Sequence, residues 1–329
     1  SATYAIPADL IDWSAIAGSF ETGALPENVK LLISVSKPSA QMIKLADDAA
    51  KKGLFEIVVP AIEFNVAASF DGKTYPIDRF ADYVERRIVV PAGAAPSRIA
   101  TGVVIEPDGS VRHVPTKIVQ IDGRSYASVF SLTNSVYALV ANEVSFADVE
   151  NHWSKDEVNE MGSRLILTGT DSDTFVPNAY VTREQFTSLI ARALGLKSDS
   201  SKLTVFRDVA PTNVHYGDIQ AAVSYGLVSG YEGGTFRPEE QVTREQMMVI
   251  VAKAMKLVGA SSGAAADKGL ERFEDADQVS DLARESIADV VSAGISQGRS
   301  TTKLAPKGLL TRAEAAAIID RLLRRANRI

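Results

Sequence analysis

Gly169-Thr170-Asp171-Ser172-Asp173-Thr174-Phe175-Val176-Pro177, followed by Val181-Thr182-Arg183-Glu184, returns as Gly230 to Pro238 with Val242-Thr243-Arg244-Glu245. It returns again as Gly298 to Pro306 with Leu310-Thr311-Arg312-Ala313. Glycine, proline and arginine keep spacings of 8 and then 6 residues in all three copies. A repeat held at one register decides the architecture of the second half of the chain. An aromatic and an acid open each copy: Phe146 with Asp148, Phe206 with Asp208, and Phe273 with Asp275. The intervals between copies differ, 23 residues from Arg183 to Phe206 against 29 from Arg244 to Phe273. The extra length falls in Ala260–Ala266, a small-residue stretch that reads as a flexible connection.

Each copy reads as helix, loop, helix. Eleven residues before the shared glycine stand Val158, Ile219 and Ile287, each followed three positions later by Met161, Ala222 or Val290. This is helical periodicity, and it predicts a first helix ending near the glycine. The second helix opens on a capping box in every copy: Thr182 with Gln185, Thr243 with Gln246, Thr311 with Glu314. Apolar residues then recur at helical spacing, Phe186, Leu189, Ile190, Ala193 and Leu194 in the first copy, so one face of each helix is buried. A helical pair of this size cannot bury that face alone, and the three units must pack on one another, as an open stack or a closed pseudo-threefold body.

Residues 1–143 read differently, as a mainly antiparallel β domain with some helix. Strand patterns at Val29–Val35, Glu56–Val59, Gly102–Ile105 and Val111–Val114 alternate with the turn pairs Asp71-Gly72, Asp108-Gly109 and Asp122-Gly123. Ser39–Lys52 reads as one amphipathic helix. The expected division is therefore 1–143, then repeats at 146–195, 206–258 and 273–329.

Composition narrows the function. The 329 residues carry 35 Lys+Arg against 41 Asp+Glu, a net charge of -6, which argues against nucleic acid as a partner. With no cysteine and only His113, His152 and His215, a metal site is not expected, nor is any cofactor. No apolar run approaches the roughly 20 residues that span a bilayer, so no membrane insertion is expected. The start at Ser1 reads as a processed end, and the chain as the tail of something longer. No nucleophile–base order, phosphate loop or paired carboxylates point to an enzyme.

Folding alone explains least about the arginine after each capping threonine: Arg183, Arg244 and Arg312. A cation in the first helical turn opposes the helix dipole by roughly 0.3–1 kcal/mol. A guanidinium beside unpaired helix N-terminal N–H groups makes a site for a carboxylate or phosphate. Equally, each arginine could pair with Asp148, Asp208 or Asp275 and tie the units together. Trp153 reads as a core anchor or as a platform for a sugar ring, the core being commoner for a lone tryptophan. Its register holds Val214 and Leu282 in the other copies, with Tyr216 a nearby substitute in the second. Asp171-Ser172-Asp173 reads as a polar turn rather than a calcium loop. Arg321, Arg324, Arg325 and Arg328 read as a solvated cationic helix end.

Phe146-Ala147-Asp148-Val149-Glu150-Asn151-His152-Trp153, with Gly169, Phe175-Val176-Pro177 and Val181-Thr182-Arg183-Glu184, resembles a surface-layer homology (SLH) motif, as do the two later copies. The resemblance implies a three-pronged helical body that anchors a secreted protein to the wall of a Gram-positive cell by binding a secondary cell-wall polymer, often pyruvylated on N-acetylmannosamine. By position it implies that Arg183, Arg244 and Arg312 hold the charged ketal and that Trp153, with Tyr216, lines a groove. It also implies that Asp148 and Asp208 shape the unit or meet the ligand, with Gly169 and Gly230 beside them. The departures at Val214 and Leu304 favour the grooves that use Arg183 and Arg244. Residues 1–143 resemble the β-rich segment upstream of such triplets. Two alternatives stand beside anchoring by a non-enzyme: a self-assembling segment of a surface-layer lattice, and the anchor of a secreted glycoside hydrolase.

Overall fold

A computed structural model describes residues 2–4, 6, 7, 10, 11, 13, 16, 28–198, 203–263 and 269–329. Ser1 and the last three residues of the Ala260–Ala266 connection lie outside these. The chain divides into two compact units, Ser1–Glu143 and Val144–Arg328.

The first unit is antiparallel β. Strands β1 (Ala2–Tyr4), β5 (Arg79–Val89), β9 (Arg124–Thr133) and β8 (Thr116–Ile121) form one sheet in that order. A second sheet runs β2 (Lys30–Ser36), β3 (Glu56–Phe70), β10 (Ser135–Ala141), β6 (Thr101–Ile105), β7 (Val111–Val114), with β4 (Lys73–Pro76) also paired to β3. Two Asp-Gly pairs close two-residue hairpins: Phe70 pairs with Lys73 around Asp71-Gly72, and Ile121 with Arg124 around Asp122-Gly123. Both residues of each turn have positive φ, 48° and 76° in the first, which glycine adopts without strain and aspartate tolerates. The core lies between the sheets, with Phe64, Val104 and Tyr137 from one packed with Ile88 and Val129 from the other. Helix α1 (Ala40–Gly53) is capped by Ser39, whose Oγ accepts from Met42 N at 3.2 Å.

Arg86 is fully buried in this unit. Its Nη1 donates to Val84 O at 2.9 Å and its Nη2 to Thr133 O at 2.7 Å, while the guanidinium lies over the rings of Tyr4 and Tyr137 at 4.7 and 4.9 Å. Carbonyl dipoles and aromatic faces stand in for a carboxylate. Burial raises the Tyr4 phenol well above its ordinary value, against the opposing pull of Arg86.

The second unit is helical: α2 (Lys155–Ser163) and α3 (Arg183–Ala193) in repeat one, α4 (Tyr216–Ser224) and α5 (Arg244–Leu257) in repeat two, α6 (Arg284–Ser292) and α7 (Arg312–Arg325) in repeat three. All three capping boxes form, with both the threonine and the Gln/Glu side chain engaged. The first helices stop earlier than the periodicity predicts, at Ser163, Ser224 and Ser292. Leu165 (φ 62°), Gly226 (φ 71°) and Gly294 (φ 76°) then turn left-handed and break the helical path. The shared glycine serves a different purpose, close packing. A Cβ on Gly169, Gly230 or Gly298 would lie 2.7, 2.5 or 2.7 Å from the ring of Phe146, Phe206 or Phe273. Absence of a side chain lets the opening aromatic pack on the loop.

Backbone hydrogen bonds join the repeats in a cycle. Val181 N donates to Leu310 O, Leu310 N to Val242 O, and Val242 N to Val181 O, at 2.9, 2.9 and 3.0 Å. All three side chains are buried.

Candidate functional site

The arginines after the capping threonines reach into the next repeat. Arg183 Nε donates to Phe236 O at 3.0 Å, Arg244 Nε to Leu304 O at 2.9 Å, and Arg312 Nε to Phe175 O at 2.7 Å. The backbone N–H of those same three loop residues donates to the acid of its own repeat: Phe175 N to Asp148 at 2.8 Å, Phe236 N to Asp208 at 2.8 Å, Leu304 N to Asp275 at 2.9 Å. Each loop is thus clamped from both sides, and its next residue (Val176, Arg237, Ala305) is held at positive φ. Arginine and acid cooperate through one peptide unit rather than pairing directly. Burial pushes the Asp208 and Asp275 carboxyls up, but the N–H donations outweigh it and hold both below the usual range. Burial lowers the pKa of all three arginines.

The helix N-termini are not open anion sites. Arg183 N donates to Glu240 O, Glu184 N to Pro238 O, and Gln185 N to Thr182 Oγ1. The same three acceptors recur for α5 (Gly308 O, Pro306 O, Thr243 Oγ1) and α7 (Ala179 O, Pro177 O, Thr311 Oγ1). The neighbouring loop satisfies what the sequence leaves unpaired.

The arginines differ in what else holds them. Arg183 lies over Phe236 at 4.7 Å and Tyr231 at 4.9 Å, and Arg312 over Phe175 at 4.3 Å. Leu304 offers no ring, and Arg244 instead pairs through Nη1 with Glu314 Oε1 at 3.0 Å. That acid stands where the other capping boxes have glutamine. The two departures compensate one another: a loop without an aromatic face and a box with a charge.

A cavity of about 700 Å³ opens between repeats three and one. Trp153, Asn178 and Tyr180 enter it from repeat one, Arg244 from repeat two, and Gly298, Arg299, Glu314 and Arg321 from repeat three. Trp153 is 59% exposed, which corrects its reading as a core anchor; Val214 and Leu282 in its register are also exposed. His152 stacks beside the indole with ring centroids 5.4 Å apart, and its Nε2 lies 3.4 Å from Asn178 Oδ1. Arg299 engages Glu314 through Nε at 3.0 Å and Nη2 at 3.2 Å. Three guanidinium groups against one carboxylate leave the cavity cationic in a protein of net charge -6. Flat aromatic surface with several bidentate donors suits an acidic carbohydrate.

Of the residues singled out from sequence, Trp153 and Arg244 meet in this cavity. Arg183, Arg312, Asp148, Asp208, Tyr216, Gly169 and Gly230 do not line it. Asn178, Tyr180, Arg299 and Arg321 were missed as site residues. A signal existed for Tyr180, whose register holds Gln241 and Leu309 in the other repeats. Asp171-Ser172-Asp173 is a polar turn, with Asp171 Oδ1 accepting from Asp173 N at 2.9 Å and Thr174 N at 2.8 Å.

The S-layer homology domain family matches residues 145–187, 205–248 and 272–316. The chain carries three S-layer homology domains within residues 145–316. It is 34% identical over 211 residues to an amylopullulanase of Thermoanaerobacterium thermosulfurigenes, 64% of this chain and 11% of that protein. An exoglucanase of Acetivibrio thermocellus is 33% identical over 198 residues, 60% of this chain and 18% of the relative. An S-layer protein of Bacillus thuringiensis subsp. finitimus is 30% identical over 204 residues, 59% of this chain and 24% of the relative. The match therefore covers less than a quarter of each of these proteins. S-layer homology domains anchor surface proteins to the cell wall, and this is a cell-surface protein. Among the described residues, no helix is long and apolar enough to cross a membrane.

Proposed function

We propose that the helical unit, as a pseudo-threefold triplet with repeats at 146–195, 206–258 and 273–329, anchors its protein by binding an acidic, pyruvylated secondary cell-wall polymer. The observation that carries the reading is the cationic cavity in which Trp153 and Tyr180 stand with Arg244, Arg299 and Arg321. The indole supplies a face for the sugar ring and the cationic wall of the cavity draws in the ketal carboxylate. Arg183 and Arg312 are proposed to bind in the corresponding places of the other two junctions, with Tyr216, Asp148 and Asp208 supporting them. The chain itself performs no chemistry in this role; any catalysis belongs to parts of a larger protein, as in the two hydrolase relatives. Co-sedimentation with purified walls tests the reading. Walls retaining the polymer should pellet the protein and walls stripped of it should not; equal pelleting would overturn the proposal.

A second reading rests on the β unit. Among the described residues β2 pairs with β3 alone, and Leu32, Ile33 and Val35 are exposed on it. Such an edge favours strand addition between copies, as a surface lattice requires. Sedimentation velocity should then show concentration-dependent oligomers without polymer, abolished by Ile33→Lys.

A further inference from the structure

The cavity holds three arginines, and their existing partners separate them. Arg244 is 3% exposed and bonded to Leu304 O and Glu314. Arg299 makes two bonds to Glu314 and one to Leu309 O at 2.5 Å. Arg321 has only a long donation, Nη1 to Ile295 O at 3.4 Å, and among the described residues no ion pair. Its register in repeat one is Arg192, whose Nε is held by Asp218 Oδ2 at 2.8 Å. A ligand anion at Arg244 or Arg299 shares a guanidinium whose charge Glu314 already meets, whereas Arg321 has most of its donors to offer.

We propose that Arg321 is the specificity-determining cation of this groove, the residue that pairs with the anionic substituent of a bound carbohydrate. The inference rests on the reading of the cavity as a carbohydrate site. Arg244 and Arg299 shape the wall, Glu314 fixes both, and Trp153 and Tyr180 carry the neutral sugar face. The shared chemistry is a monoanion or dianion on a pyranose, either a ketal carboxylate or a phosphate.

Calorimetric titration of the full chain tests it with three probes: a pyruvylated N-acetylmannosamine disaccharide, its neutral methyl ester, and the same disaccharide phosphorylated in place of the ketal. Arg321→Ala should weaken the preferred charged probe at least tenfold, leave the weaker methyl ester unchanged, and flatten the salt dependence of binding, while Arg321→Lys recovers part of the loss. Thermal unfolding of the variant should match wild type. The charged probe that loses more identifies the anion. If Arg321→Ala binds both charged probes as wild type does while Trp153→Ala binds them weakly, the assignment to Arg321 fails and the groove stands. If Trp153→Ala also leaves binding unchanged, or wild type binds no probe, the carbohydrate reading of this cavity fails with it.

Discussion

The junction between repeats one and two and the junction between repeats three and one are built on the same register, yet side-chain bonds span the first where the cavity of Trp153 opens at the second. In the first, Arg192 and Ser188 both donate to Asp218, at 2.8 and 2.5 Å, and Glu184 accepts from Asn213 at 2.8 Å. The second helix of repeat two is tied likewise, with Glu245 accepting from Ser280 and pairing with Lys307 at 3.0 Å. Repeat three has Ala313 where those glutamates stand, so it has no carboxylate to extend toward repeat one. His152, in the register of Asn213, turns to Ser154 and Asn178 instead, leaving the indole beside it exposed. Residues that keep the repeat hold the units together. Residues that break it, Trp153, Tyr180, Ala313 and Glu314, make the groove.

That contrast can be broken at several points. The largest expected effect is on stability at the shared clamp: Arg244→Ala leaves Leu304 O without its side-chain donor and Glu314 with Arg299 as its one remaining guanidinium partner, and should cost about 3 kcal/mol in urea unfolding. Asp275→Ala, which leaves the N–H groups of Leu304 and Ala305 without an acceptor, should cost about 2–3 kcal/mol in the same assay. Acid should act through the same groups. Asp208, Asp275 and Glu314 titrate below their ordinary values in the folded protein: burial raises each, while hydrogen bonds and, for Glu314, Arg299 and Arg244 lower each by more. The unfolded chain therefore binds more protons near pH 4, so their stabilisation is full above about pH 5 and is lost as pH falls through the lowered folded values. Urea midpoints should be flat from pH 7 to 5 and fall below pH 4, with a smaller fall in Asp275→Asn. At the bonded junction between repeats one and two, Asp218→Ala should cost only about 1 kcal/mol, the ion pair being partly exposed, and should leave binding in the groove of Trp153 unchanged. Smallest is the stability effect of Arg321→Ala at the open junction, expected within about 0.5 kcal/mol.

Local chemistry is what the sequence made readable. The capping boxes and the Asp-Gly hairpins need only neighbouring residues, and both stand where composition and spacing predict them. The loop clamp was out of reach because its three parts, Asp148, Phe175 and Arg312, lie far apart in the chain and meet only once the backbone cycle closes. Reading the arginines as paired either with acids or with ligand missed the carbonyl acceptors that the next loop presents. Arg321 was hidden among four arginines at a helix end, where the dipole already accounts for a cation. Only comparison with its counterpart Arg192, which has found its acid, shows it as different.

Trp153 offers the most direct view of the central claim, because it is one of two tryptophans in the chain and stands exposed in the groove. In a Trp13→Phe variant, emission from Trp153 is followed while secondary cell-wall polymer is titrated to saturation, with co-sedimentation run in parallel. A polymer that binds in the groove should shift the emission to the blue, with a midpoint equal to that of co-sedimentation. Emission that stays constant while the protein pellets with polymer would place binding elsewhere and contradict the account.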